Sequence, residues 1–330
     1  MPTWSFARSV SKPARPVGGG DSPGRGPSLR TRLFRLGSVF LAASAVGTVI
    51  DVVGLSLQSA RSVIAPQRVA ITTTPAERAL PYESVEFLSL DGLRLRGWFI
   101  PAGRSAIVLA HGHASNREGM LSQAEYLYRK GGYSVLLFDF RASGESEGTR
   151  SSLGYFEWQD VAGAVRYLKT RPEVDPDRIG ALGASMGAAA LLLLGEEAHQ
   201  LKAVVADSAY ASGETLVARF DNWFRLPAFP FSFVVPLAIR YHLGLTPADL
   251  APINAIGQIA PTPVLIIHGE QDSGIPAADA VALYQAAGEP KELWILPGVG
   301  HAAAWGAERE EYERRVLGFF RQYLGDRRGC

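Results

Sequence analysis

Apolar residues recur along most of the chain in short runs that alternate with longer stretches of helical spacing. Two apolar runs, 85–90 and 93–100, flank Asp91-Gly92, a dipeptide typical of tight β-hairpin turns. Further runs are typical of buried strands: 105–110, 133–138, 179–183, 203–206, 264–268 and 292–296. Between them, segments such as 153–169 place apolar residues every three or four positions and predict helices. This alternation predicts an α/β fold with a mostly parallel, eight-stranded sheet covered by helices on both faces.

The N-terminal part of the chain has a different pattern. Residues 1–35 are rich in Gly, Pro, Ser and Arg and lack apolar periodicity, so we expect a disordered basic segment. Residues 36–57 are almost continuously apolar, and about 20 such residues can cross a hydrocarbon core as a helix. Asp51 lies in the last third of this stretch, where its carboxylate can reach the interface. The remaining predicted divisions are a linker over 58–80, a folded domain over 81–325 and a tail over 326–330.

The apolar stretch predicts a single-pass membrane anchor with a cytoplasmic N-terminus. The stretch is directly preceded by Arg30, Arg32 and Arg35. Positively charged residues beside a span stay in the cytoplasm, so the folded domain would lie on the other side of the membrane. A cleaved signal peptide is an alternative, because Ala43-Ser44-Ala45 has small residues at the right spacing, although they fall inside the apolar run. An organelle transit peptide and a core helix are further alternatives. The stretch exceeds the usual globular helix of about 12 residues, which favours the anchor.

Charge and cysteine content limit the classes of partner. The 330-residue chain has a formal net charge of +1, but its basic residues are concentrated at the N-terminus, so the rest is mildly acidic. Without a basic stripe there, we expect no nucleic-acid partner. Cys330 is the single cysteine and cannot form an internal disulfide. His111 and His113 have no companion ligands at metal-binding spacing, and no phosphate-binding loop is visible, so we expect neither metal nor cofactor.

The pentapeptide Gly183-Ala184-Ser185-Met186-Gly187 lies between a predicted strand and a run of helix-forming residues. It matches the G-x-S-x-G pattern of a nucleophile elbow, in which small residues let a strand turn sharply into a helix. The serine hydroxyl is then exposed at the helix N-terminus, where partial positive charge favours a developing anion. Serines are also common as ordinary helix caps, so the meaning of this pentapeptide depends on its surroundings.

The surroundings of Ser185 resemble the α/β-hydrolase superfamily over roughly residues 80–325. Within it, the chain is most similar to bacterial small-lid serine hydrolases, which include esterases, serine aminopeptidase-like proteins and dienelactone-hydrolase-like proteins. In this fold an acid and then a histidine follow the elbow along the chain. His301 lies in a glycine-rich loop after the last predicted strand and resembles the family's general base. The resemblance assigns the acid to Asp272, which follows the preceding predicted strand.

Two other acidic residues compete for the position of the acid. Asp207 follows an earlier predicted strand, a position that some members of the superfamily use, and Glu270 is close in sequence to Asp272. The whole stretch 268–276, H-G-E-Q-D-S-G-I-P, matches the family pattern and favours Asp272. His268, at the end of the strand, is expected to have a structural role.

The resemblance also implies an oxyanion hole made of two backbone N–H groups. One belongs to Met186, directly after the nucleophile, and the other to His113 in an earlier turn. The stretch 139–146 resembles the family's D-x-R-G-x-G-x-S turn, with Ala142 in place of the usual glycine. We expect this turn to support the site structurally, with Arg141 in a bridging interaction.

The alternation of strands and helices stops over 210–258, a stretch rich in aromatic residues and proline. In the family an insertion at this place forms a lid. Aromatic side chains over an active site would make an apolar pocket for an acyl chain, and the predicted pocket residues are Trp223, Phe224 and Phe229. Ordinary core packing and a surface that rests on the membrane are the alternatives.

These features predict a membrane-tethered serine hydrolase. It would cleave a carboxylic ester or a similar acyl bond of a small molecule through an acyl-enzyme on Ser185, without a cofactor. A serine peptidase or a thioesterase with the same catalytic residues is one alternative, and a catalytically silent, membrane-anchored binding protein is another. A peptidase would need acidic residues to hold an ammonium group; Glu214, Asp221 and Asp249 are available, but none is specifically placed.

Overall fold

The computed structural model describes residues 28–217, 219 and 228–325. The chain forms two compact units, residues 1–51 and residues 52–330. Within the first unit, the described residues are helical from Leu29 onward, and nearly all of their side chains are exposed. The second unit contains the sheet, the helices that cover it and the candidate site.

Helix α1 (Leu29–Ile64) is longer at both ends than the predicted span over 36–57. At its start, the Ser28 hydroxyl accepts a hydrogen bond from the Thr31 amide and caps the helix. At its end, Pro66 follows within two residues and disfavours helical geometry before it. Residues 30–35, expected in a disordered segment, and residues 58–64, expected in a linker, are therefore helical. The helix is long and apolar enough to cross a membrane, and its most apolar part is not buried.

Eight strands form one sheet in the described part of the chain, in the spatial order β1-β2-β4-β3-β5-β6-β7-β8. β2 is antiparallel to β1 and β4, and the other neighbours are parallel. The strands are β1 (Glu83–Leu88), β2 (Arg94–Ile100), β3 (Ala106–Ala110), β4 (Ser134–Phe138), β5 (Ile179–Ala184), β6 (Ala203–Asp207), β7 (Val264–Gly269) and β8 (Lys291–Leu296). The predicted α/β fold with its hairpin at Asp91-Gly92 and its mostly parallel, eight-stranded sheet is confirmed.

Helices cover both faces of this sheet. They are α2 (Leu121–Tyr126), α3 (Trp158–Lys169), α4 (Met186–Leu192), α5 (Gly213–Val217), α6 (Ala228–Leu243), α7 (Pro252–Ala255), α8 (Ala277–Ala286), α9 (Ala304–Ala307) and α10 (Arg309–Leu324). Successive residues of a central strand contribute to opposite cores: Val108 of β3 packs into one apolar cluster, and Ile107 and Leu109 pack into the other. The near-continuous apolar character of β3 follows from this burial on both faces.

Helix α3 begins later than the apolar spacing over 153–169 suggests. Leu153 and Gly154 have positive φ angles of 60° and 121°, which end any helical path before Trp158. The buried carboxylate of Glu157 holds this loop by accepting hydrogen bonds from the Gly154 amide and from both the amide and the hydroxyl of Ser152. The loop thereby places Leu153 at the wall of the cavity described below.

Between β6 and β7, the described residues of the predicted insertion 210–258 are mainly helical. One side of α6 packs against the last turn of α1: Val235, Ala238 and Ile239 form an apolar cluster with residues that include Val63 and Ile64. The end of α1 is therefore part of the hydrophobic packing of the second unit rather than a free linker.

Candidate active site

Ser185 lies at a strained turn between β5 and α4. Its φ and ψ are 53° and −116°, a conformation that is costly for a residue with a Cβ and is typical of functional turns. The glycines of the pentapeptide make the turn possible because a Cβ on Gly183 would lie 2.7 Å from the Ala188 nitrogen. A Cβ on Gly187 would lie 2.7 Å from the His111 carbonyl oxygen. The strand, the helix and the neighbouring β3 can approach this closely only with glycine at both positions.

Three predicted catalytic residues, from three separate loops, form one hydrogen-bonded chain. The Ser185 hydroxyl donates to Nε2 of His301, with 2.9 Å between Oγ and Nε2. The Nδ1–H group of His301 donates to Oδ2 of Asp272 over 2.6 Å. The histidine side chain is one-quarter exposed, whereas the Asp272 side chain is fully buried. This geometry can remove the proton from Oγ while the carboxylate holds the imidazole in the required tautomer.

The loop after β7 fixes the second carboxylate oxygen of Asp272. Oδ1 accepts hydrogen bonds from the Gly274 and Ile275 amides, at 2.9 and 2.8 Å. Burial by itself would raise the pKa of Asp272, but hydrogen bonds from His268, His301 and Ile275 hold this pKa well below its usual range. The carboxylate is therefore ionised at neutral pH and can stabilise an imidazolium beside it.

The two alternative acids lie elsewhere. Asp207 is buried, and its carboxylate accepts hydrogen bonds from the hydroxyls of Ser208 and Tyr312. Burial raises the pKa of Asp207. Glu270 is exposed. His268 is fully buried; its Nε2 donates to the Ile275 carbonyl over 2.9 Å and also lies 3.4 Å from Oδ2 of Asp272, a position that matches the expected structural role.

The turn after β3 lies against the end of α1. His113 is half-buried and donates from Nε2 to the carbonyl oxygen of Val63 over 2.7 Å, and desolvation of its ring lowers the pKa of the imidazole. His111 has a structural position, because its Nε2 accepts from the Phe140 amide over 3.1 Å. In the described part of the chain, the backbone amides of His113 and Met186 donate to no backbone carbonyl, and both residues line the cavity beside Ser185.

A cavity of about 600 Å³ opens onto Ser185 and His301. Its wall is largely apolar and comes from several separate parts of the chain: Val63, Met120, Leu153, Met186, Leu216 and Ile275. Of the predicted pocket residues, Phe229 does not line this cavity; its side chain is 77% exposed on α6. Trp223 and Phe224 lie outside the described residues. The position of Phe229 does not support its prediction as a pocket residue, because this residue has extended dihedrals, φ −94° and ψ 133°, at a kink near the start of α6 and is exposed.

Comparison with known proteins identifies the family. The sequence profile of the prolyl oligopeptidase family, peptidase family S9, matches residues 120–327, well over half of the chain. The chain belongs to the prolyl oligopeptidase family. The matched region includes Ser185, Asp272 and His301.

Relatives and solved structures agree with this family assignment. The chain is 30% identical to the uncharacterised protein YfhR of Escherichia coli K12, over 71% of this chain and 78% of that protein. It is 33% identical to the uncharacterised protein Rv2307c of Mycobacterium tuberculosis, over 64% of this chain and 69% of that protein. The esterase Pf2001 of Pyrococcus furiosus has a similar structure, with a TM-score of 0.69 and 28% identity over 80% of this chain and 99% of that one. This member of the prolyl oligopeptidase family is a serine hydrolase with the α/β-hydrolase fold.

The sequence did not predict that the end of α1 contributes to the cavity. Ser62 and Val63 line the cavity, although they lie in the predicted linker. A signal was present, because Ala60, Val63 and Ile64 continue a helical apolar spacing beyond the predicted end of the span at residue 57. Leu153 and Leu216 were also missed. Leu153 reaches the cavity from the loop between β4 and α3, and Leu216 reaches it from α5, which follows β6.

The turn over 139–146 supports the site without entering it. Asp139 is buried and accepts hydrogen bonds from the Arg117 amide and guanidinium, at 2.8 and 2.6 Å. Arg141 bridges Asp160 and Asp91, at 2.6 and 2.8 Å. Ala142 adopts a φ of 58°, the left-handed conformation that suits the glycine usual at this position of the motif. The expected bridging role of Arg141 fits this geometry.

Proposed function

We propose that the chain is a carboxylic ester hydrolase that acts through an acyl-enzyme on Ser185. The observation that carries this proposal is the hydrogen-bonded chain from Ser185 through His301 to Asp272 at the wall of an apolar cavity. The similarity to the esterase Pf2001 also supports it.

In the first step, Oγ of Ser185 attacks the ester carbonyl while Nε2 of His301 takes its proton. Asp272 stabilises the resulting imidazolium through the hydrogen bond to Nδ1. His301 then gives the proton to the departing alkoxide, which leaves as an alcohol. Water repeats the sequence on the acyl-enzyme: His301 removes a proton from the water and returns it to Oγ, and the carboxylic acid is released.

The amides of His113 and Met186 are the proposed donors to the oxyanion of each tetrahedral intermediate. Both residues lie beside Ser185 at the cavity, and Met186 is the first residue of α4, where the helix dipole also favours negative charge. Loss of one such donor typically lowers the rate about 100- to 1000-fold.

The cavity favours a neutral acyl group over a peptide amino terminus. In the described part of the chain, its lining contains no Asp, Glu, Lys or Arg side chain that could hold an ammonium or a carboxylate. Of the acidic residues considered for a peptidase, Glu214 is exposed, and the carboxylate of Asp249 caps its own turn through Thr246. Asp221 lies outside the described residues. A hydrophobic acyl chain is therefore the proposed substrate group.

We further propose that α1 anchors the enzyme in a membrane, with the N-terminus in the cytoplasm and the catalytic unit outside it. The support is the long apolar helix, its exposed side chains and the arginines that precede the apolar stretch. The partners of the protein would then be a lipid membrane and a small-molecule ester.

The enzymatic proposal is tested with the full chain in detergent. Hydrolysis of p-nitrophenyl esters from acetate to decanoate is compared with hydrolysis of aminoacyl p-nitroanilides, for the wild type and for Ser185→Ala. We expect ester hydrolysis with an optimum at an intermediate chain length, and its loss in Ser185→Ala. Labelling by a fluorophosphonate should also disappear in that variant.

Ser62→Ala is the matched control, because Ser62 also lines the cavity but its hydroxyl donates to the Ser59 carbonyl over 2.8 Å. This variant should keep both ester hydrolysis and labelling. Cleavage of the anilides at a higher kcat/KM than any ester would contradict the ester assignment in favour of a peptidase. Unchanged activity in Ser185→Ala would contradict the assignment of the nucleophile.

The orientation is tested by labelling intact expressing cells with a membrane-impermeant maleimide. Cys330 is the single cysteine of the chain and reports the side on which the catalytic unit lies. We expect Cys330 to be labelled in intact cells, and a Ser28→Cys, Cys330→Ser variant to be labelled only after lysis. The reverse pattern would contradict the proposed orientation.

A further inference from the structure

Helix α6 has an exposed apolar face. Phe229, Phe233, Leu237 and Tyr241 recur every four residues, and their side chains are 77%, 67%, 64% and 86% exposed. Residues four apart lie on one side of a helix, so Phe233, Leu237 and Tyr241 form a continuous stripe. Phe229 extends this stripe at the start of α6 and packs edge-to-face on Phe233, with 6.2 Å between ring centroids. We call these four residues the outer face of α6.

The opposite side of α6 is also apolar. Val235, Ala238 and Ile239 are buried against the last turns of α1. A surface helix of a water-soluble protein normally has polar residues on the side away from the core, and a helix that is apolar all round needs an apolar environment on both sides. We therefore expect the outer face of α6 to contact an apolar environment.

The position of α6 along α1 indicates which apolar environment this is. The inner side of α6 packs on Ala60, Val63 and Ile64, which follow the predicted end of the membrane span at residue 57 by three to seven residues. At a rise of 1.5 Å per residue, this corresponds to about 5–10 Å along α1. The headgroup layer on each side of the hydrocarbon core has a similar thickness, about 5–8 Å.

The residue types suit this boundary. Phenylalanine, leucine and tyrosine are typical of helices that lie in the plane of a membrane surface, with the tyrosine hydroxyl toward water. Arg61 on α1 and Arg240 on α6 are exposed and can contact lipid phosphates. We propose that the outer face of α6 lies in the boundary layer of the membrane beside α1, as a second, non-spanning contact with lipid. This inference rests on the proposed anchoring by α1.

The contact would bring lipid close to the candidate active site. Pro236 and Ile239 of α6 line a narrow crevice together with Leu153 and Leu216. The same two leucines line the catalytic cavity. The helix that carries the outer face therefore packs on the wall of the cavity.

The test uses site-directed spin labelling of the full chain in vesicles of phosphatidylcholine and phosphatidylglycerol. In a Cys330→Ser background, single cysteines replace Phe233, Leu237, Val46 and Leu88. Val46 lies in the predicted span, and Leu88 is a matched exposed apolar residue on β1 with 56% exposure. Accessibility to oxygen, which concentrates in lipid, is compared with accessibility to a water-soluble nickel chelate.

We expect labels at Phe233, Leu237 and Val46 to show an oxygen-to-nickel accessibility ratio several-fold higher than the label at Leu88. If Val46 behaves as lipid-exposed while Phe233 and Leu237 resemble Leu88, the outer face is in water; this overturns the inference and leaves the anchor intact. If Val46 is also in water, the anchor and the inference both fail. Low accessibility to both reagents at Phe233 and Leu237 would indicate a protein partner and would also overturn it.

Discussion

Replacement of Gly187 by alanine tests the construction of the nucleophile elbow. A Cβ at this position would lie 2.6 Å from the Ala110 carbonyl carbon and 2.7 Å from the His111 carbonyl oxygen. Favourable contacts between carbon atoms are at about 3.5–4.0 Å, so α4 would have to move by about 1 Å away from β3. Both neighbours are backbone atoms at a strand end, so they cannot rotate aside as a side chain could.

The shift would displace Ser185 and the Met186 amide together. A misplacement of about 1 Å can lower a rate about 100-fold, and loss of an oxyanion donor lowers it about 100- to 1000-fold. We therefore expect kcat/KM to fall at least about 100-fold. Overpacking typically lowers the free energy of unfolding by about 1–3 kcal/mol, partly offset by the higher helix propensity of alanine, about 1 kcal/mol.

The assay is hydrolysis of the preferred p-nitrophenyl ester, combined with thermal unfolding of the same sample. Gly318→Ala is the matched control, because Gly318 lies in α10 and a Cβ there would meet no heavy atom within 4 Å. This control should keep full activity and gain up to about 1 kcal/mol of stability. If Gly187→Ala keeps wild-type activity and stability, the close approach of α4 to β3 is not what positions the nucleophile.

Three further predictions concern polar groups around the site. The pKa of Asp272 is lowered in the folded state. The stabilisation by its carboxylate is therefore present above the unfolded pKa of about 3.9 and is lost as pH falls through the folded pKa. Calorimetry should find that the Tm difference between wild type and Asp272→Asn is largest near pH 7 and smaller below about pH 4. His113→Ala leaves the Val63 carbonyl without its donor, so urea unfolding should show that the free energy of unfolding falls by about 1–3 kcal/mol. We expect kcat to fall as well. A loss of stability with normal kcat would contradict a positioning role for the turn. Glu157→Gln places an amide NH₂ against one backbone N–H donor, that of Ser152 or that of Gly154, whichever way the amide is turned. Unfolding should therefore show a loss of about 1–3 kcal/mol, and an unchanged stability would refute the described network.

The acid of the candidate triad illustrates how far local sequence reasoning reaches. The pattern over 268–276 favoured Asp272, but Asp207 also follows a strand, and a sequence carries no distances. In the structure Asp272 hydrogen-bonds to His301, whereas Asp207 hydrogen-bonds to Tyr312. The choice depends on which loops meet at the carboxyl edge of the sheet, and strand order decides this. The catalytic roles of these residues stay predictions until the variants are measured.

The amino-acid sequence by itself determined the strands, the hairpin, the elbow and the chain order of the candidate serine, acid and histidine. These features are local: buried strands need apolar runs, a sharp strand-to-helix turn needs glycines, and a glycine-rich loop after a strand can place a histidine at the sheet edge.

Only the tertiary structure decided which surfaces meet. It placed the end of α1 in the wall of the cavity, and it turned Phe229 away from that cavity. It also gave His113 a carbonyl partner 50 residues earlier in the chain. Such contacts depend on the packing of elements distant in sequence, and an apolar residue has the same local pattern whether a core, a substrate or a lipid covers it.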